Sequence, residues 1–385
     1  MSFSPKVTSA FASLETPFYY YDLALLQKTL DTYTSYLNKF GYHAHYAFKA
    51  NANDRILEKI LLYGLGADCV SGNEVSLAIA SGFDPRKIVF AGVGKSDKEI
   101  RTALEGGIFC FNCESIPEIE VINQLASALG VKASISLRIN PDIDAHTHKY
   151  ITTGKAQNKF GISPYMFDEV WSVLQRCPQL RLMGLHFHVG SQITDIDVFK
   201  ALCARVNELQ WWFIQKGAEL PVVNLGGGLG VDYTAPLEHP IPDFASYFEA
   251  IHHHLKVLPG QEVHLEPGRA LVAQCGFLIS RALYIKRCKG IKFAILDAGM
   301  NDLIRPALYG AHHHILNLTS KGRKMRYDVV GPVCESSDRF GKSVPMPESK
   351  RGDFIALCSA GAYGQVMGMR YNQRDIAKAY YSDSL

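Results

Sequence analysis

Four short stretches of the chain carry side chains whose types and spacing could do chemistry. Tyr46-Ala47-Phe48-Lys49-Ala50-Asn51 places a lysine at the end of an apolar run. Desolvation there would lower its pKa and free the amine as a nucleophile toward carbonyls. A lysine snorkelling to the rim of its element is the plainer alternative. His186-Phe187-His188-Val189-Gly190-Ser191-Gln192 sets two imidazoles two residues apart, on one face of a strand. That spacing suits a metal-ligating pair, a flat ring stacked on a planar cofactor, or two hydrogen-bonded core histidines. A metal would need a further ligand from another segment, and no matching Asp or His cluster offers one. Asn224-Leu225-Gly226-Gly227-Gly228-Leu229-Gly230 is not the dinucleotide pattern, because position 231 is Val. Three successive residues without Cβ nonetheless let backbone N–H groups approach an anion, as a phosphate would require. Leu265-Glu266-Pro267-Gly268-Arg269 ends in a carboxylate that is expensive to bury unless it meets a cation. Opposite a pyridine nitrogen it would hold the ring protonated, and Arg269 offers an anion a bidentate fork. Pairing of Glu266 with Arg269 is the simpler use of the same residues.

The elements that must position these groups follow from one rhythm. β-rich runs at 42–49, 67–70, 87–91, 108–112, 132–139, 180–188, 222–225 and 262–266 alternate with amphipathic segments at 54–63, 73–80, 96–104, 116–129, 165–176, 198–216 and 244–255. Eight such strands are the number that closes a (β/α)8 TIM-like barrel; an open doubly wound sheet is the competing arrangement. The barrel is assigned residues 25–269. Beyond Gly268, runs at 270–288, 292–297, 311–318, 325–330 and 353–358 read as strands between Gly, Pro and Lys/Ser turns. Residues 270–385 are therefore expected to form a β domain of β-sandwich or Greek-key type. Residues 1–24 join it, although their aromatic run Phe18-Tyr19-Tyr20-Tyr21 could also pair with the barrel. In such barrels the chemistry sits at the C-terminal ends of the strands. The four stretches fall at the ends of strands one, six, seven and eight. A strand-end lysine, a stacking ring, a glycine anion cradle and a carboxylate are together the parts that hold pyridoxal phosphate.

Composition narrows the partners. The 385 residues are 47% hydrophobic and 20% charged, so disorder is excluded as the main state. A formal net charge of +3 implies no nucleic acid or other polyanion. No apolar run reaches the roughly 18 residues of a membrane span, and the first residues lack a charged-then-apolar export signal. Nine scattered cysteines suit reduced thiols in a cytoplasm. Cys110 and Cys113 form a lone C-x-x-C that could be redox or metal chemistry. The two triple-histidine runs, His252–His254 and His312–His314, read as helix-surface and strand residues.

Taken together, the four stretches resemble the alanine-racemase-fold (fold type III), pyridoxal-phosphate-dependent decarboxylases. Ile304-Arg305-Pro306-Ala307-Leu308-Tyr309-Gly310, Gly331-Pro332-Val333-Cys334-Glu335-Ser336 and Gly361-Ala362-Tyr363-Gly364 extend the likeness in order over nearly the whole chain. The resemblance implies that Lys49 binds the aldehyde of pyridoxal 5′-phosphate and that His188 stacks on its ring. It puts Ser191, Gly226, Gly227, Gly228, Gly268, Arg269 and Tyr363 about the cofactor, with Glu266 on the pyridine nitrogen. Arg269, Arg305, Tyr309, Glu335 and Tyr363 would contact substrate. Cys334 would donate a proton, and Cys334 and Glu335 would act across a homodimer interface. The implied reaction is decarboxylation of meso-2,6-diaminopimelate to L-lysine, the last step of bacterial lysine synthesis, with no metal. Two arginines suit a substrate that keeps one carboxylate after losing the other. Carboxynorspermidine-, ornithine- or arginine-type decarboxylation is the rival within the same family. Met369-Arg370 depart from the family pattern, in which small or amide residues are more usual.

Overall fold

The structure, a computed structural model, describes residues 3, 5–143 and 159–385. It divides into two compact units, one of Leu30–Gly230 with Asp243–Gly268, the other of Met1–Thr29, Val231–Pro242 and Arg269–Leu385. Of the N-terminal segment assigned to the β domain, residues 1, 2 and 4 lie outside the described residues. The division differs from the expected 25–269 barrel in one informative place. Residues 231–242, which follow the seventh barrel strand, group with the second unit. There the Gln274 amide donates to the carbonyls of Asp232 and His239, a tie that periodicity does not reveal.

Strand β1, Phe18–Tyr21, belongs to the second unit. The barrel is built from β2 His43–Ala47, β3 Gly66–Cys69, β4 Ile88–Phe90, β5 Cys110–Cys113, β6 Ala133–Arg138, β7 Leu180–His186, β8 Val222–Asn224 and β9 Glu262–Leu265. These eight close on themselves in sequence order, parallel throughout. Both faces of a parallel barrel are covered, so its strands read as short, almost wholly buried runs, as β3, β4, β5 and β8 do. The helices between them start where side chains cap their free N–H groups. Ser71, Ser96, Ser115 and Asp243 each accept from the first turn, and Ser96 with Glu99 completes a reciprocal capping box. Glu99 also accepts from Gly72 N–H, joining one helix start to the next.

The second unit is one mixed sheet with strand order β12-β15-β10-β11-β13-β14. Here β10 is Gly276–Cys288, β11 Ile291–Leu296, β12 Ile315–Asn317, β13 Lys324–Val330, β14 Arg339–Pro347, β15 Phe354–Leu357 and β16 Lys378–Tyr381. The aromatic run of β1 does not join the barrel: it lies antiparallel to β10 and parallel to β16. Phe11, Phe18, Tyr20, Phe277, Ile279 and Phe354 bury one face of this sheet, each such side chain contributing about 1.5–3 kcal/mol. Two expectations for this unit are corrected, and two of its strands were not anticipated. Residues 269–272 make one helical turn rather than the start of a strand, since Ala-Leu-Val apolarity suits either. β14 and β16, polar on their exposed faces, carry too weak an apolar signal to be read beforehand. His312–His314 precede β12 instead of lying in it, and His313 is buried.

Candidate active site

The C-terminal ends of the barrel strands assemble a small set of polar groups. After β2 the chain makes one tight turn, Phe48–Ala50, whose flanking residues are buried while Lys49 is exposed on one side. Its ammonium lies 2.9 Å from Asp68 Oδ2 at the end of β3. Lys49 thus has a carboxylate partner, and its side chain is 37% exposed. Asp68 is wholly buried, and burial pushes its carboxyl up to about 7 against the pull of Lys49. An acid inside the apolar run Gly66-Ala67-Asp68-Cys69 is itself a signal, because such a group needs a cation.

Glu266, at the end of β9, is held from three other strand ends. Its Oε1 accepts from the amides of Asn112 at 3.2 Å and Asn224 at 2.8 Å, and its Oε2 lies 3.0 Å from His186 Nε2. Burial alone would raise this carboxyl, but His186 and then Lys49 outweigh it and hold the group below the usual carboxylate range. Glu266 is therefore an anion. His186 serves this carboxylate, and among the described residues it forms no metal-ligating cluster with His188. Its remaining nitrogen, Nδ1, is buried without a hydrogen-bond partner among the described residues.

Asn224 links the carboxylate to the glycine run, its Oδ1 accepting from Gly226 N–H at 2.8 Å. Gly227 N–H donates to His188 Nδ1 at 3.2 Å. Burial, with the charges of Arg138 and Lys49, keeps the His188 ring well below its ordinary pKa, hence neutral and able to present a flat face. The glycines are sterically required. Gly226 sits at φ +68°, and a Cβ on Gly227 would stand 2.1 Å from the Glu266 carbonyl oxygen. Gly227→Ala is expected to lower stability by about 1–3 kcal/mol. It should also weaken retention of pyridoxal phosphate at least about tenfold, measurable by thermal melting and by fluorescence titration of the cofactor. An amine, an ionised carboxylate, a neutral ring and a glycine cradle fit pyridoxal phosphate.

Within the second unit, two further sequence-predicted site residues, Arg269 and Arg305, are buried cations. Arg305 starts the short helix Arg305–Tyr309 and is only 5% exposed, although the sequence before Pro306 reads as surface. Its Nη1 donates to His313 Nε2 at 2.9 Å, while His313 Nδ1–H donates to the Cys358 carbonyl at 2.8 Å. Burial, then the charge of Arg305, lowers His313 to about 3, so it is a neutral anchor. Tyr233 lies under the Arg305 guanidinium at 4.7 Å and accepts from Arg269 Nη1 at 2.6 Å. Arg269 also stands 4.8 Å over the ring of Tyr363, which adopts the left-handed φ of +55°. Sequence reasoning missed Tyr233, 36 residues from Arg269, and His313, which is only eight residues from Arg305 but sits in a histidine run with no local sign of burial. Tyr309 is half-buried at the end of the same helix. Cys334 and Glu335 are exposed, the Cys334 N–H donating to Asn372 Oδ1 and Glu335 accepting from the Tyr371 hydroxyl. Cys110 and Cys113 are free, buried thiols, and burial pushes Cys110 up to about 12. No helix among the described residues is long and apolar enough to cross a membrane.

Known proteins share this architecture and sequence. Over 376 residues the chain is 54% identical to a diaminopimelate decarboxylase of Bacteroides thetaiotaomicron, covering 97% of both chains. A diaminopimelate decarboxylase of Haemophilus influenzae is 43% identical over 364 residues, 93% of this chain and 86% of that one. The crystal structure of diaminopimelate decarboxylase from Helicobacter pylori, complexed with L-lysine, superposes with a TM-score of 0.91 at 39% identity, covering 97% of this chain and 93% of the other. Residues 24–273 match the family described as pyridoxal-dependent decarboxylase, pyridoxal binding domain. By fold, sequence and the groups at its barrel strand ends, the chain belongs to the pyridoxal-dependent decarboxylase family.

Proposed function

We infer that this chain decarboxylates meso-2,6-diaminopimelate to L-lysine and CO₂ with pyridoxal 5′-phosphate. The structural observation that carries the substrate reading is Arg305. A guanidinium this buried, whose partners are a neutral imidazole and a tyrosine ring, lacks an ion-paired carboxylate among the described residues. Such a cation is costly until an anion reaches it, and a carboxylate on the substrate offsets that cost. Decarboxylation of diaminopimelate leaves one carboxylate to be held throughout; ornithine would leave none. The names of the relatives at 54% and 43% identity support the same substrate.

When bound, pyridoxal phosphate supplies an electron sink for the pair released as CO₂ leaves. Lys49 would hold its aldehyde, and Glu266, fixed as an anion by three donors, would favour a proton on the ring nitrogen. His188 would lie against its ring, and Ser191, Gly226, Gly227, Gly228, Gly268 and Tyr363 would hold its phosphate. Arg269 and Arg305, with Tyr309, orient the retained end of the substrate. The active enzyme is a homodimer in which Cys334 of the partner subunit protonates the product carbon and Glu335 of the partner subunit contacts substrate. Their exposure in the single chain supports this use. Nine cysteines, none paired among the described residues, suit a cytoplasmic setting.

Specificity constants for meso-diaminopimelate, ornithine and arginine, measured side by side on protein loaded with the cofactor, test the reading. The first should exceed the other two by at least about 10³-fold, since a site built for a carboxylate rejects a substrate lacking one. Equal or better turnover of ornithine would assign the chain to the polyamine branch.

A further inference from the structure

At the opposite, N-terminal end of the barrel strands lies a cluster that the decarboxylation does not use. His43 opens β2 and Glu262 opens β9, the two strands whose pairing closes the barrel, and His264, third in β9, stands in register with His43. The ligand atoms of these three side chains lie within 4.8 Å of one another. Glu262 Oε2 is 3.1 Å from His264 Nε2 and 3.9 Å from His43 Nε2.

The hydrogen bonds behind the cluster fix which nitrogen carries a hydrogen. His45 Nδ1 is 2.9 Å from the Lys87 carbonyl oxygen, which can only accept, so Nδ1 bears the hydrogen. In a neutral ring, His45 Nε2 is then an acceptor, and it stands 2.8 Å from His264 Nδ1. The hydrogen of His264 is thereby placed on Nδ1. Its Nε2 keeps a bare lone pair aimed at a carboxylate oxygen, which is also an acceptor. Two acceptors at 3.1 Å call for a cation. A second proton on His264 would supply one, at the expense of charging a ring that is only 4% exposed. A metal ion answers the same need without it. The relay from His264 through His45 to a backbone carbonyl is also the outer support that metal-bound histidines use to fix their tautomer.

We propose that His43, Glu262 and His264 form a binding site for one divalent transition-metal ion of the Zn²⁺ or Co²⁺ type, with water completing a tetrahedron. Two imidazoles and a carboxylate are a known ligand set for zinc, and donor spacings of 3.1 and 3.9 Å bracket the roughly 3.4 Å edge of a tetrahedron with bonds of about 2.1 Å. The ion ties β2 to β9 at the seam, where only His43↔His264 and Ala44↔Leu265 are in register. Metal at this end of a barrel stabilises rather than reacts. His43 and Glu262 are each 54% exposed at the side chain, so an ion can enter and both can be replaced without opening the core.

The test uses the cofactor-loaded enzyme stripped by a chelator, then titrated with Zn²⁺ and, separately, with Co²⁺ as a spectroscopic probe. One zinc per chain is expected, with a rise in Tm of about 3–8 °C at saturating metal. Co²⁺ should give visible bands of tetrahedral intensity. His43→Ala and Glu262→Gln should each weaken zinc binding at least about tenfold and abolish the Tm rise. Both should decarboxylate at the wild-type rate. Zinc uptake unchanged in both variants, or no zinc-dependent Tm rise in the wild type, would overturn the proposal. The first result would send the metal to surface thiols or the exposed His252–His254 run, and the second would leave His264 and Glu262 as a protonated ion pair.

Discussion

Replacing Glu266 by Gln is expected to lower kcat for decarboxylation by about 10²–10³-fold while pyridoxal phosphate still binds. The side chain keeps its shape, so Asn112 and Asn224 can still reach its carbonyl oxygen. What is lost is the negative charge that His186 and Lys49 stabilise in the wild type. An uncharged amide cannot hold a proton on the pyridine nitrogen, and the electron sink is weakened at the moment charge develops. Single-turnover release of CO₂, with cofactor occupancy measured in parallel, separates the two effects. Near-wild-type turnover would remove Glu266 from this role. Loss of cofactor along with activity would make it a structural carboxylate instead.

Lys49→Ala is expected to abolish steady-state turnover, by at least about 10³-fold, and to remove the visible absorbance of covalently held cofactor. The fold should survive, because Lys49 lies on a partly exposed turn, though Asp68 loses its cation and should take up a proton in compensation. The same variant also tests the shared site. Cys334→Ala homodimers should be strongly impaired, since their partner's proton donor is missing. Mixing the two inactive variants and allowing subunits to exchange should restore about a quarter of wild-type activity, because half the dimers are mixed and each has one intact site. No recovery after verified exchange would place Cys334 in the site of its own chain or outside catalysis.

The barrel was legible in sequence because each parallel strand is a short buried run followed by a capped helix, a pattern that depends on neighbours only a few residues apart. Lys49, His188, Glu266 and the glycine run were legible for the same reason: each is an odd residue at the end of an otherwise apolar strand. Partners were harder to see. Asp68 lies 19 residues from Lys49, and Asn112 is 154 residues from Glu266. His313 sits in a triple-histidine run as unremarkable as His252–His254, yet it is buried against Arg305 while His253 is exposed on a helix end. Only the fold distinguishes the two runs. The roles of Arg305, Tyr363 and Cys334 came from family resemblance alone. The structure adds a physical account for Arg305, through its burial, and for Tyr363, through its ring beneath Arg269.

Arg269 and Arg305 illustrate why local reading fails for the second unit. Both guanidiniums rest on Tyr233, which belongs to a twelve-residue excursion from the barrel sequence, residues 231–242, that packs with the β strands. No spacing rule links Tyr233 to Arg305, 72 positions later.

The most direct measurement supplies pyridoxal phosphate to the purified protein, records its visible absorption, and then adds meso-diaminopimelate while scoring lysine and CO₂. The account predicts a visible band from covalently bound cofactor, followed by lysine and CO₂ in equal amounts, with neither band nor products from Lys49→Ala. A band without lysine would contradict the substrate assignment, and no band after cofactor addition would contradict the site itself.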